Sequence, residues 1–220
     1  YYGELDKLFD QLNGKELSYN NLLDIDAAVN LIDEFDKPSF AILKHNNACG
    51  FASNNNLNTA WKQALAGDPI SAFGGVIITN QHLAIDVAKS INELFFEVLI
   101  APSFDDEAVE LLKIKKNRII LKKKNANLGR MSFRTVLNGV LCQEKDFITD
   151  QNNLTVVSNL NASTTQMNDL IFASKICKHT KSNAIVLVKD NQLLASGCGQ
   201  TSRVDALRQA ILKAKHFGFS

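Results

Sequence analysis

Phe40-Ala41-Ile42-Leu43-Lys44-His45-Asn46-Asn47-Ala48-Cys49-Gly50 is the stretch from which the rest of the chain is best read. Four apolar residues run straight into a lysine, a histidine, two amides, a cysteine and a glycine. That pattern predicts a buried strand whose end opens into a polar turn, where α/β folds commonly place their chemistry. Lys44 supplies a cation and His45 a group that titrates near neutrality. On the residues alone, a surface strand end with an incidental histidine is an equal reading. Neighbours on a regular strand point to opposite faces, so Lys44 and His45 serve one ligand only if the strand ends or bulges here. Asn46, Asn47 and Gly50 make that break plausible.

Upstream, Leu5, Leu8, Phe9 and Leu12 have helical spacing and predict an amphipathic helix over Tyr1 to Leu12, stopped by Asn13-Gly14. Lys15 to Asn21 is too rich in turn formers to read as core. Ile25, Ala28, Val29, Ile32 and Phe35 mark a second helix, with Asp24 and Asp26 suited to its N-terminal dipole. Downstream, Leu57 to Leu65 is a helix carrying Trp61, ended by Gly67-Asp68-Pro69. Ile70 to Gly75 leads into the strand Val76 to Thr79, and its two glycines predict a close backbone approach, by a ligand or by a neighbouring helix. Leu83–Ile91 helix, Phe96–Pro102 strand, Asp105–Leu112 helix and Arg118–Leu121 strand then alternate at the lengths of βα units. This argues for a layered α/β fold with a substantially parallel sheet. Residues 1–121 are expected to form a first subdomain, 122–165 a crossover containing a strand or hairpin at Phe133 to Leu141, and 166–220 the start of a second subdomain, cut short. In that last part a helix over Asn168 to Cys177 precedes the strand Ala184 to Val188, its hairpin partner at Leu193 to Ser196, and a helix bearing Val204, Leu207, Ile211 and Leu212.

Composition excludes several classes. The 220 residues are 45% hydrophobic, and 24 Lys and Arg against 23 Asp and Glu leave a formal net charge of +1, so no bulk field steers the chain to nucleic acid or to a membrane surface. No apolar run approaches the roughly 20 residues that span a bilayer. The lysines between Lys113 and Lys124 lack interleaved aromatics and read as a solvated face. Cys49, Cys142, Cys177 and Cys198 are widely spaced, which suits reduced thiols and a cytoplasmic location. The sequence carries no His-x-Glu with a following Pro-Cys-x-x-Cys, no Walker A loop and no dinucleotide fingerprint. Cys49 reads as a packing residue, although a nearby Lys44 would lower its pKa. His82, His179 and His216 read as surface or capping residues.

The polar clusters fall at comparable places: residues 44–50 after a strand, 71–75 and 178–183 before strands, and 197–203 after one. Acyl transfer to a nitrogen nucleophile needs a base near neutral pKa and a donor or cation where oxyanion charge develops. Lys44, His45 and Asn183 are of those types. Arg203 at a helix start suits an anion; a salt bridge to Asp205 is its equally ordinary role.

Gly14 to Asn21 with Asp26-Ala27-Ala28, then Lys44 to Gly50, Asp68 to Gly75, Glu97 to Pro102, Lys181-Ser182-Asn183-Ala184 and Gly199 to Asp205, stand in one order along the chain. In these motifs the chain resembles the transformylase part of the bifunctional AICAR transformylase/IMP cyclohydrolase family, over essentially its whole length. The resemblance implies cytidine-deaminase-like layered α/β subdomains lacking the deaminase zinc site, and a homodimer with active sites at its interface. It implies formyl transfer from 10-formyltetrahydrofolate, as co-substrate, to the 5-amino group of AICAR ribonucleotide, with no metal needed for catalysis and no nucleic-acid or membrane partner. His45 would take the proton of the attacking amine, Lys44 would stabilise the oxyanion, and Asn183 would orient the formyl group or the histidine. Asn46, Phe73, Gly74, Glu97 and Arg203 would hold the nucleotide. No arginine precedes Tyr2-Gly3 where that family has an Arg-Tyr-Gly motif, and Ser220 stands where its members continue, so the polypeptide taken alone is expected to be an incomplete transformylase. A fragment that only folds and dimerises, or a metal-free hydrolase on the same fold, are the alternatives.

Overall fold

Side-chain alternation along the central strands determines the layering. The computed structural model describes residues 1–149 and 154–219; residues 150–153 of the expected crossover, and Ser220, lie outside the described residues. Strand β2 (Ser39–Lys44), β4 (Val76–Thr79) and β5 (Val98–Ala101) are almost wholly buried, as are the first three residues of β6 (Ile119–Lys123). Along them Ala41, Leu43, Val76, Ile78, Val98, Ile100, Ile119 and Leu121 point to one face, and Phe40, Ile42, Ile77, Leu99, Ala101 and Ile120 to the other. Helices α1 (Tyr19–Ile32) and α6 (Thr164–Lys178) cover the first face through Ile25, Ala28, Val29, Ile32, Phe172 and Ile176. Helices α2 (Leu57–Gly67), α3 (Pro69–Ala72), α4 (Ile85–Asn92) and α5 (Asp106–Lys113) cover the second, with Trp61 wholly enclosed edge-on to Phe40. Runs apolar on both faces belong to strands buried between helix layers.

Among the described residues eight strands form the main sheet, in the order β1-β6-β5-β4-β2-β3-β10-β9, where β1 is Phe9–Asn13, β3 Asn47–Ser53, β9 Ile185–Lys189 and β10 Gln192–Gly197. The parallel part is β4-β5-β6; every other pairing is antiparallel. The sheet is therefore mixed, and the antiparallel share exceeds what βα alternation alone suggests, because β2 and β3 form a hairpin. Residues 166–220 set their own hairpin, β9–β10, on β3 of this same sheet, and α7 (Arg203–His216) packs on β10 through Ala206, Ala210 and Ala214. The strand or hairpin expected at Phe133 to Leu141 is a somewhat longer, separate two-stranded ribbon, β7 (Met131–Val136) with β8 (Gly139–Glu144), exposed throughout.

The expected N-terminal helix is absent. Leu5–Lys7 makes one 3₁₀ turn, and Phe9–Asn13 pairs antiparallel with β6. Phe9 and Leu12 pack against opposite core layers. A three-residue spacing places two side chains on one face of a helix but on opposite faces of a strand, so the same residues satisfy both patterns and tertiary pairing decides. The start of α1 also differs. Ser18 caps it reciprocally with Asn21, the Asn21 N–H donating to Ser18 Oγ at 3.1 Å and the Ser18 N–H to Asn21 Oδ1 at 3.2 Å. Asn21 is consequently buried in the first turn, and Asp24 falls in the second, where the helix dipole matters less.

Candidate active site

The β2–β3 hairpin turns on two residues, His45 at φ 53° and Asn46 at φ 64°. Two successive left-handed residues between the paired Lys44 and Asn47 have the φ signs of a type I′ turn, which matches strand twist. The register also slips opposite Ile42 and Leu43, where Cys49 is the extra residue, so β3 bulges just after the turn. Strand alternation thus stops at Lys44, the condition required for Lys44 and His45 to serve one ligand. The exposed imidazole of His45 makes no side-chain hydrogen bond among the described residues, whereas Lys44 Nζ donates to the Phe73 carbonyl at 2.8 Å.

That contact joins the turn to the second cluster. Asp68 caps α3, accepting from the Ser71 N–H at 2.9 Å with Pro69 at the first helical position. The chain then leaves through Phe73 and Gly74, the latter at φ 73°, and enters β4. Gly75 is the close approach that the two glycines predicted: a Cβ there would lie 2.8 Å from the Leu43 carbonyl and 3.1 Å from that of Ala72. The neighbour is the protein's own backbone. Phe73, well exposed, stacks on Phe95 with centroids 5.1 Å apart, and the Gly74 N–H donates to the Phe95 carbonyl at 2.8 Å. Glu97 enters β5 beside them, its N–H on the Gly75 carbonyl at 3.0 Å and its Oε2 accepting from Asn21 Nδ2 at 3.0 Å. Lys44, Phe73, Gly74 and Glu97 therefore share one rim, at the end where β2 stops and the parallel strands begin.

The third cluster reaches the same hairpin across 134 residues of sequence: the Lys181 N–H donates to Asn47 Oδ1 at 3.0 Å. Asn183 is held by Gln200, through N–H to carbonyl bonds of 3.0 and 3.3 Å in the two directions. Its Nδ2 donates to the Gln200 and Thr201 carbonyls, both at 3.1 Å. With the amide nitrogen committed to carbonyls, Oδ1 is the open atom, and it is an acceptor. Ser202 caps α7, and Arg203 follows as its first residue, exposed. The expected alternative of an Arg203–Asp205 bridge is not realised: Asp205 pairs with Arg208 at 3.2 Å, and Arg203 makes no ion pair among the described residues.

Cys49 and the other three histidines have separate surroundings. Burial pushes the Cys49 thiol up to about 12, the Asp68 carboxylate adding to the effect; Lys44 and Lys213 oppose it and lose, so the expected lowering by Lys44 is corrected. His82 bridges Ser103 and Asp105 at 2.8 and 2.9 Å, and His179 sits 3.0 Å from Glu34, which Lys178 also contacts at 2.6 Å. His216 stacks on Phe217 at 4.8 Å.

Sequence reasoning gives Asn21, Asp24 and Asn47 no contact at this hairpin or rim, although it names Asn47 for the strand break and Asp24 for the helix start. Asp24 Oδ1 accepts from the Asn46 N–H at 2.6 Å, and Asn47 Nδ2 donates to the His45 carbonyl at 2.8 Å. The signal for Asn21 was present in Ser18-x-x-Asn21, a capping box; none marked the other two.

A family model described as the AICARFT/IMPCHase bienzyme matches residues 2–213. The chain is 60% identical over 220 residues to the bifunctional purine biosynthesis protein PurH of Bacteroides thetaiotaomicron, covering 100% of itself and 43% of that protein. It is 44% identical over 209 residues to the same-named proteins of Persephonella marina and Caldicellulosiruptor bescii, covering 94% and 93% of itself and 40% of each relative. The chain thus spans about two fifths of the length of the curated relatives it matches. With a family model over nearly all of it, the chain belongs to the AICARFT/IMPCHase bienzyme family.

Proposed function

We propose that this chain carries the centre of a formyl transfer from 10-formyltetrahydrofolate to the 5-amino group of AICAR ribonucleotide, a step in purine synthesis. The observation that carries the reading is the joining of three separate clusters at one hairpin end: Lys44 bonded to Phe73, and Asn47 to Lys181. The amine of AICAR is a weak nucleophile, because its lone pair is delocalised into the imidazole and carboxamide, so orientation and charge stabilisation matter more than a strong base. In the proposed step the amine nitrogen bonds to the formyl carbon and the carbonyl electron pair moves onto oxygen. His45 takes the amine proton and Lys44 faces the oxyanion. Collapse then breaks the bond to the folate nitrogen, which leaves as tetrahydrofolate after protonation. Asn183 presents an open acceptor, which fits an N–H of the amine or of the imidazole better than an oxyanion. Asn46, Phe73, Gly74, Glu97 and Arg203 hold the nucleotide, the guanidinium of Arg203, without an ion pair among the described residues, meeting its phosphate.

The same reading includes cytidine-deaminase-like layering without a zinc site, a cytoplasmic location supported by four free thiols, and a homodimer supported by the exposed apolar side chains of the β7–β8 ribbon. The test is Lys44→Ala and His45→Ala, made separately in the full-length polypeptide and assayed for AICAR-dependent tetrahydrofolate release. The expected result is a loss of about 10²-fold or more in kcat with modest loss of nucleotide binding; retained turnover in both variants overturns the assignment.

A further inference from the structure

His45 and Asn46 both occupy the left-handed region without being glycine, a conformation uncommon for other residues and more accessible to asparagine than to histidine. Neighbouring structure must hold such a turn. The carbonyl of His45 and the N–H of Asn46 belong to one peptide group, the central one of the turn. Asn47 Nδ2 donates to that carbonyl at 2.8 Å, and Asp24 Oδ1 accepts from that N–H at 2.6 Å. Both polar ends of a single peptide plane are therefore tied, from opposite sides and by different elements. Rotation of the central peptide is the motion by which a two-residue turn changes type without moving its strands. It would change ψ of His45 and φ of Asn46, and with them the peptide group and the Asn46 backbone that flank the imidazole.

The anchors are themselves fixed. Asp24 lies three residues after Asn21 on one face of α1, and Asn21 bonds Glu97 at 3.0 Å, so one helical turn spaces His45 from Glu97. Asn47 is tied by its Oδ1 to the Lys181 N–H at 3.0 Å, which relates the turn to the loop bearing Asn183. Neither clamp hydrogen-bonds the His45 ring.

From this geometry we infer that Asp24 and Asn47 are positioning residues, which fix the turn carrying His45 for proton transfer by locking the His45–Asn46 peptide from both ends. The inference rests on the formyl-transfer reading above.

Its test uses Asp24→Ala, Asp24→Asn and Asn47→Ala in the full-length polypeptide, with steady-state kinetics and thermal melts. Because sub-ångström to 1 Å misplacement can cost up to about 10²-fold, Asp24→Ala and Asn47→Ala are expected to lower kcat roughly tenfold or more while KM for the nucleotide changes less than about threefold. Asp24→Asn keeps an oxygen that accepts from the Asn46 N–H and is expected to recover most of the loss. A merely stabilising role would move the melting temperature and leave kcat alone. Wild-type kcat in Asp24→Ala or Asn47→Ala, or an Asp24→Asn protein that is folded and no better than Asp24→Ala, overturns the inference. Should Asp24→Ala not fold, Asn47→Ala and Asp24→Asn decide it by the same criteria. An inactive wild-type protein, or a fully active His45→Ala variant, would strike the formyl-transfer reading; an unimpaired Asp24→Ala beside an inactive His45→Ala strikes the clamp alone.

Discussion

Lys213 Nζ lies 2.6 Å from Oδ2 of Asp68, whose carboxylate is 2% exposed, so that the last turn of α7 is bonded to the cap of α3. α7 begins at Arg203 and α3 delivers Phe73, so this pair sets the distance between two proposed nucleotide contacts. Removing Lys213 leaves a buried carboxylate without its cation. Lys213→Met is expected to cost about 2 kcal/mol, below the usual figure for a fully buried pair because the lysine is one third exposed. Urea unfolding of both proteins checks it.

Burial disfavours ionised Asp68, but the bonds from Lys213 and Ser71 and the lysine's charge outweigh it, and the carboxyl stays below the usual carboxylate range. A carboxyl depressed in the folded state contributes stability that is complete above its unfolded pKa, near 3.9, and is lost as pH falls through the folded value. Wild-type protein is therefore expected to lose stability below about pH 4 more steeply than Asp68→Asn. Melts between pH 2.5 and 6 measure the difference, and parallel curves would count against it.

Asn21→Asp separates two functions of one side chain. Aspartate still accepts from the Ser18 N–H, but it brings a second carboxylate to within hydrogen-bond distance of Glu97. KM for the nucleotide is expected to rise about tenfold or more, since like charges this close are strongly unfavourable, while helix content by circular dichroism is unchanged.

Arg203→Gln removes a cation that has no ion pair among the described residues. Stability is expected to change by less than about 0.5 kcal/mol. Nucleotide binding, measured calorimetrically, is expected to weaken and to lose part of its salt dependence.

Thiol labelling orders the cysteines. With a thiol pushed up to about 12, Cys49 is expected to react last with iodoacetamide at pH 8, and the exposed Cys142 before it. Mass spectrometry of timed samples reads the order.

Strands β2, β4, β5 and β6 were legible because residues apolar on both faces have few other places to go. β1 was not, since Phe9 and Leu12 suit either period and only pairing with β6 decides. β3 was hidden as well: Asn47 and Gly50 read as turn residues, yet Gly50 is there because a Cβ would collide with the Ala64 carbonyl on α2. At the site, Lys44 and His45 stood out by type and by their place at a strand end. Asp24 did not, because an aspartate on a helix is ordinary and its partner Asn46, 22 residues away, offers only a backbone N–H. Contacts made to peptide groups leave no trace in side-chain chemistry.

The order of strands has a consequence for assembly. The parallel core β4-β5-β6 closes within residues 76–123, whereas the β9–β10 hairpin joins β3 only through pairing that spans most of the chain, at Gln192 with Ala52. Short-range pairing closes early and long-range pairing late. The rim carrying Phe73 and Glu97 can thus be in place while Asn183 and Arg203 are still remote from His45. The last closure of the fold is then the one that unites the proposed residues, and a partly folded molecule would present the Lys44–Phe73 rim without the Asn183 and Arg203 side.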